Sequence, residues 1–199
     1  MTCGGSIGAT ALSLPTDSAT QTYTNLTPQV GTSAGMRLDD FRNTASGVTS
    51  VTVHATSAVE LSGTVQELTG TNNTLDSTVP IITSGTSTSA ATNSITTATG
   101  SILAAGVSDA GGTNSAYTVS PAAYVIDGLT PNGTHERQGS ATAADVASGA
   151  HVATFTLPVS ANWVCGQAAY KVSAAGGGLP PGDEHAVNID TAAQAAMMR

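Results

Sequence analysis

The stretch from residue 47 to 68, "GVTSVTVHATSAVELSGTVQEL", constrains the fold more than any other part of the chain. Apolar and polar residues alternate along it. The apolar members are Val51, Val53, Ala55, Val59, Leu61 and Val65. Because successive side chains of a β-strand point to opposite faces of a sheet, this period of two predicts strands with one buried face. We interpret the stretch as two strands that pair with each other.

Most of the remaining chain is also typical of strands between turns. The segments "AYTVSPAAYVIDGLTPNGT", "HVATFTLPVSANWVC" and "AAYKVSAA" are rich in β-branched and aromatic residues and are bounded by Gly, Pro and Asn. Their expected core members are Tyr117, Val119, Tyr124, Ile126, Phe155, Leu157, Val159, Trp163, Tyr170 and Val172. The pattern predicts an all-β fold, an antiparallel sandwich or jelly-roll-like core.

The expected organisation is a β-sandwich core over residues 48–173 with extended arms on both sides. Residues 1–47 form an N-terminal arm with the first strands, and residues 174–199 form a C-terminal arm that opens on "GGGLPPGDEH". The arm contains at most a short helix near the C-terminus, capped by Asp190 or Thr191. Within the first arm, "MRLDDFRN" carries two of the five basic residues and two adjacent acids, which favours a solvated turn or a contact patch.

The Ser/Thr-rich segment over residues 84–100 leaves two interpretations open. Its sequence, "SGTSTSAATNSITTATG", contains Ile95 as its one large apolar residue. It is either a long loop or a polar strand that pairs at a subunit contact. On either side, Pro80, Ile81 and Ile82 are expected to anchor one strand, and Ile102 and Leu103 another.

The charge balance excludes several classes of partner. Charged residues make up 9% of the chain, and five Lys and Arg face thirteen Asp and Glu, for a net charge of −8. Such a chain lacks the basic surface that phosphates require, so direct nucleic-acid binding is not expected. No stretch approaches the ~20 apolar residues of a transmembrane helix, and no membrane partner is expected.

The first twenty residues bear on localisation. They contain no basic start and no apolar run of the roughly 7–15 residues that a secretory signal needs. About a quarter of the chain is Ser or Thr, which is typical of structural proteins that work outside cells. Composition of that kind without a signal favours a component of a virus particle, which lysis releases. The alternative is an extracellular or cell-surface protein whose signal has been removed.

The two cysteines, Cys3 and Cys165, lie near opposite ends of the chain. A disulfide between them closes a loop of about 160 residues and, in the chain-entropy model, contributes ~4–5 kcal/mol. The other interpretation treats Cys165 as a small buried apolar residue. A protein made without a signal is synthesised in a reducing compartment, which favours the free thiol.

The residues that usually carry chemistry do not form a recognisable pattern. The four histidines, at positions 54, 135, 151 and 185, are scattered without metal-ligand spacing. "GDEH" at 182–185 and "SDAGGTNS" at 108–115 resemble cation loops only in composition. There is no P-loop and no dinucleotide fingerprint. We expect no catalytic residues, no metal, no cofactor and no enzyme activity.

The resulting hypothesis is a non-enzymatic structural subunit of a virus particle, as a coat, decoration or tail component of a phage. The first alternative is a subunit of a bacterial or archaeal surface filament or adhesin. A third is a secreted carbohydrate-binding or carbohydrate-active module. The expected partners are copies of the chain itself, in a homo-oligomer, and other structural proteins of the assembly. Much of residues 1–47, 83–100 and 174–199 has little apolar content, so we expect contacts with neighbouring subunits to order it.

Overall fold

A computed structural model describes the chain over residues 2–7, 12–27, 34–42, 48–56, 61–76, 82–98, 100–111, 116–131, 137–172 and 186–188. The regular structure in these residues is β-strand, and no helix occurs among them. The strands are β1 (Thr2–Ile7), β2 (Leu12–Asp17), β3 (Thr24–Asn25), β4 (Ala34–Asp40), β5 (Val51–Ala55), β6 (Leu61–Gln66), β7 (Thr71–Leu75), β8 (Ile82–Ala91), β9 (Ile95–Thr97), β10 (Ser101–Asp109), β11 (Thr118–Ser120), β12 (Val125–Pro131), β13 (Arg137–Val146), β14 (Gly149–His151), β15 (Thr154–Val172) and β16 (Ala186–Asn188).

The strands form two main sheets and two small ones, and every pairing is antiparallel. The large, seven-stranded sheet runs β11-β15-β10-β13-β12, and β7 and β8 also pair with β15. The second sheet has five strands in the order β16-β6-β1-β4-β3. β2 pairs with β5, and β9 pairs with β14. The predicted all-β sandwich is confirmed.

The 19-residue strand β15 organises the core. Its alternate residues Ala161, Cys165 and Ala169 pack into an apolar cluster on one face of the large sheet, together with Leu103 and Val107 of β10. Tyr117, Tyr124 and Ile95 close this cluster from segments that cross that face. Val164, Ala168 and Tyr170 point the opposite way, toward the second sheet. The period of two therefore gives β15 two buried faces.

The two main sheets pack through an apolar half and a polar half. In the apolar half, Met36 and Leu38 of β4 are fully buried against β15 and its neighbours. In the polar half, β6 faces β12 and β13. There the Gln66 amide nitrogen donates to the two Asp127 carboxylate oxygens at 3.1 and 2.9 Å, and the Ser140 hydroxyl donates to Asp127 at 2.7 Å.

The prediction of a solvated turn at "MRLDDFRN" is wrong. The segment forms most of β4, in which six of seven residues are buried. Its charges are accommodated in pairs: Arg37 contacts Asp39 at 2.8 Å, and Arg42 contacts Asp40 at 2.8 Å. Each of these carboxylates lies next to an arginine, so the charged side chains can remain at the margin of the core. The neighbouring apolar residues of β4 fill the core itself. This part of the chain contributes to the fold itself.

The strand prediction over residues 47–68 is confirmed, but the predicted pairing is wrong. β5 and β6 both form, yet β5 pairs with β2, and β6 pairs with β1 and β16. The expected faces also differ. Leu61 and Val65 are half-buried, whereas Ser62, Thr64 and Gln66 are buried in the polar half of the sheet packing. The alternation correctly predicted that β6 is a strand, but the polar face of β6 packs inward instead of its apolar face.

Several further expectations fall partly on described residues. Residues 84–91 and 95–97 are strands, not a long loop, and they pair with β15 and β14 of the same chain. Pairing of this segment at a subunit contact stays a prediction. Of the expected core residues on β15, Phe155, Leu157 and Tyr170 are buried, whereas Val159 is exposed. The proposed C-terminal helix caps, at residues 190 and 191, lie outside the described residues.

Candidate assembly surface

β8 and the facing part of β15 form a ribbon that extends beyond the packed core. The ends of β8 are anchored, since Ile82 and Ala90 are buried. Between them, five of the six residues from 84 to 89 are exposed on one face or the other. The bulged residues of β15 from 158 to 160 are exposed too. The ribbon therefore has solvent on both faces.

Cross-strand contacts of Trp163 hold the ribbon together. Trp163 lies directly opposite Gly85 in the β8–β15 register. A Cβ atom at Gly85 would come within 2.7 Å of the indole, so the ring lies on the glycine backbone itself. The indole nitrogen donates to the Ser87 hydroxyl at 3.0 Å. On the other face, the Thr86 hydroxyl donates to the Asn162 side-chain oxygen at 2.6 Å. These contacts fix the ribbon without a hydrophobic core of its own.

The outer edge of β8 is open and uncharged. Within the described chain, β8 pairs only with β15, which leaves its other row of backbone groups facing outward. Six of its ten residues are Ser or Thr, and none is charged or proline. A four-residue bulge in β15 interrupts the inner ladder between Thr156 and Ala161. The longer uninterrupted part of β8 therefore runs from Ile82 to Ser87.

Two other sheet edges in the described part of the chain, at β12 and β3, carry features that discourage pairing. β12, at the opposite side of the large sheet, has a bulge between Ile126 and Gly128, the inward-pointing Asp127 and the terminal Pro131. In the second sheet, the edge strand β3 is two residues long. Bulges, prolines, inward charges and short strands are the usual protection of sheet edges. β8 has none of them on its outer side.

A second polar feature is a buried cluster at the end of β10 and β13. Asp109 pairs with Arg137 in the strand register. The Tyr117 hydroxyl and the Gly111 amide both donate to the Asp109 carboxylate, the amide at 2.7 Å. The Arg137 guanidinium lies 4.3 Å from the centre of the Tyr117 ring, and Arg137 is only 1% exposed. Burial and the Asp109 charge raise the pKa of Tyr117 far above its usual value.

The contacts of this cluster hold the end of β10 next to the start of β13. Asp109 stands in the segment that resembled a cation loop, but its carboxylate accepts protein hydrogen bonds. Among the described residues, no group of three or more His, Cys, Asp or Glu side chains is arranged to hold a metal ion. Sequence reasoning missed the cluster because Asp109 and Arg137 are separated by 28 positions and no local pattern connects them.

The structure separates the two histidines that it describes. His54 lies on β5, where its Nε2 is 2.8 Å from the Thr16 hydroxyl. His151 lies on β14, where its Nε2 is 2.8 Å from the Ala147 carbonyl oxygen. His135, His185 and the "GDEH" segment lie outside the described residues. The two described imidazoles thus belong to different small sheets and make local contacts.

Cys165 is a free, buried cysteine. Its sulfur is 3.3 Å from the Thr83 hydroxyl, and burial raises the pKa of the thiol to about 12. The side chain points into the cluster on the face of the large sheet away from the second sheet. Cys3 belongs to β1 of the second sheet, and its side chain lies outside the described residues. This placement favours the buried-thiol interpretation, and the bridge stays a prediction.

A serine pattern that sequence reasoning overlooked lies at residues 31–35, "GTSAG", which matches the Gly-x-Ser-x-Gly form of a hydrolase nucleophile elbow. That elbow requires a strand, a sharp turn at the serine and a following helix. Here Ala34 and Gly35 begin β4, so the pattern leads into a strand. Ser33 itself lies outside the described residues.

Comparisons with protein families, with curated proteins and with solved structures returned no match. No helix in the described part of the chain is long and apolar enough to span a membrane.

Proposed function

We propose that this chain is a non-enzymatic structural subunit of a virus particle, as a coat, decoration or tail component of a phage. The observation that carries the proposal is the open, uncharged edge of β8. An exposed edge strand promotes association between chains, and folded proteins usually block such edges. The described chain protects the β12 edge on the opposite side of the large sheet and leaves the longer β8 edge open, which supports a role in assembly.

The composition supports the same role. An uncharged Ser/Thr surface loses few ion–water contacts when subunits pack, so burying it costs less than burying charged groups. The net charge of −8 keeps separate copies soluble and gives nucleic acid no complementary surface. The proposed partners are therefore further copies of this chain and other structural proteins of the particle. The proposed localisation is the virion.

The second candidate is a subunit of a bacterial or archaeal surface filament or adhesin. The same β8 edge supports it, because surface filaments are often assembled by adding a strand from one subunit to a sheet of the next. In that case the protein is extracellular or at the cell surface. The two candidates differ in where the assembled protein is found.

Electron microscopy with an antibody against the purified chain separates these candidates. The antibody is applied to particles and to cell-surface material from the native source. Labelling of virus particles is the expected result, and labelling of cell-attached filaments favours the second candidate. Recovery of the protein solely as a free, unassembled species contradicts both. An unrelated antibody of the same class serves as the control for background labelling.

A further inference from the structure

We infer that the outer edge of β8 pairs antiparallel with β8 of a second copy, joining two large sheets into one continuous sheet. This inference rests on the proposed assembly function and specifies its contact. The pairing segment is the uninterrupted part of β8 from Ile82 to Ser87. Its outward backbone groups have no partner strand in the described chain. A second strand supplies the missing hydrogen bonds.

The charge distribution favours a second copy as the occupant. The chain carries a net charge of −8, so two copies repel wherever their acidic surfaces meet. β8 contains no charged residue, and neither does the facing ribbon segment of β15 from residue 158 to 162. An edge without charges cannot attract a basic or acidic peptide selectively. An equally uncharged strand is its best match, and β8 itself is such a strand.

The side chains of β8 are compatible with their own copies across a two-fold axis. A two-fold axis perpendicular to the joined sheet makes the two β8 strands antiparallel and keeps the same face of each copy on the same side. The residue nearest the axis then lies opposite the same residue of the second copy. With the axis at Ser84, Gly85 or Thr86, the paired side chains are Gly, Ser or Thr over most of the contact. Cross-strand pairs of Ser and Thr can hydrogen-bond to each other, and none of these residues is large enough to clash.

The geometry of the ribbon leaves room for the second strand. Ser84, Gly85 and Thr86 are exposed, so nothing in the described chain covers the outer side at these positions. Trp163, on the partner strand β15, packs against Gly85 and donates a hydrogen bond to Ser87, which holds this part of β8 in place. The strand is therefore held in an extended form before a partner arrives, which lowers the conformational entropy lost on pairing.

Complementary charges introduced at Ser84 test the inference. Ser84→Lys and Ser84→Glu each place like charges close together across the two-fold axis. We expect the wild-type chain to show a concentration-dependent mass of twice 19.5 kDa in analytical ultracentrifugation. Each variant alone should remain monomeric, and an equimolar mixture of the two should recover the dimer. Hydrogen exchange over residues 82–87 should slow as the wild-type dimer forms.

Thr52→Lys is the matched control, because Thr52 is exposed on β5 and receives the same charge. It should associate like the wild type, and circular dichroism should show that all variants are folded. A wild-type monomer at millimolar concentration overturns the inference, as does a Ser84→Lys variant that associates normally. If either occurs while antibodies still label particles, the assembly function stands and only this contact is wrong. If the wild type dimerises but the antibody labels neither particles nor filaments, this contact is right and the proposed assembly function is wrong.

Discussion

Tyr117 illustrates how single residues of this protein stabilise buried charge. Its hydroxyl donates to Asp109, and its ring lies under the Arg137 guanidinium. One side chain thus contacts both a buried aspartate and a buried arginine on neighbouring strands. Tyrosine suits this position because its ring is apolar and its hydroxyl is a hydrogen-bond donor. The sequence predicted Tyr117 as a core residue, but its polar role depends on a strand register that no local pattern reveals.

Replacing Tyr117 with Phe should destabilise the protein by about 1.5–3 kcal/mol, because a buried carboxylate loses a hydrogen bond. The ring and its contact with Arg137 remain. Urea unfolding followed by circular dichroism measures the loss. Tyr124→Phe is the matched control, since Tyr124 donates to the neutral Gln167 oxygen at 2.7 Å. We expect about 1 kcal/mol for this second change. Equal losses, or a larger loss for Tyr124→Phe, would contradict the assigned role.

Cys165 should resist thiol reagents while the protein is folded. Burial raises its pKa to about 12, so almost no thiolate is present near neutral pH. In a Cys3→Ser background, a chromogenic disulfide reagent should detect no thiol in the native protein and one in concentrated guanidinium chloride. Denaturing the wild type without reductant tests the bridge independently. The absence of any thiol there would show that Cys3 and Cys165 are linked.

At the scale of elements, β4 and β6 show what a sequence pattern determines and what it leaves open. Alternation over residues 47–68 located β6 because its period is a backbone property. Which face of β6 points inward depends on β12 and β13. Asp127 of β12 accepts hydrogen bonds from Gln66 of β6 and from Ser140 of β13. β4 was misassigned because Arg37 and Asp39 suggest solvent when their pairing is unknown. Local sequence therefore predicts strands better than it predicts their neighbours.

Leu38→Ala should show that β4 belongs to the core. Leu38 is fully buried in the packing between the two main sheets. Truncating such a residue removes apolar contacts and leaves a cavity, so we expect a loss of about 2–5 kcal/mol in the free energy of unfolding. Leu14→Ala is the control, since Leu14 is 41% exposed. Its effect should stay within about 0.5–1 kcal/mol. Similar effects for both leucines would place β4 outside the core.

For the whole molecule, the pairings connect distant parts of the chain. β1 near the N-terminus pairs with β6, and β6 also pairs with β16 near the C-terminus. β15 pairs with strands that begin at residues 71, 82, 101 and 118. The sequence predicted the class of fold, since composition and periodicity are local properties. The strand order could not be predicted because it depends on these long-range contacts.

This topology should make folding slow. Closing long loops costs entropy before the corresponding contacts form, so all-β domains of this kind fold in milliseconds to seconds. Stopped-flow refolding from urea, followed by Trp163 fluorescence, measures the rate. A refolding phase completed within microseconds would contradict the assigned topology. Dilution of the sample provides the control, because a rate limited by folding of one chain does not depend on protein concentration.

The contrast between β8 and β12 limits how far a sheet can extend from this molecule. A chain open at both edges could add neighbours without end, as in a cross-β fibre. With β12 blocked, edge pairing through β8 uses the open edge of each copy and stops at two. Any larger shell or filament must then connect such pairs through contacts between faces. The blocked edge would thus end edge-to-edge growth at two copies, and we expect it to protect this strand-rich protein from fibre formation.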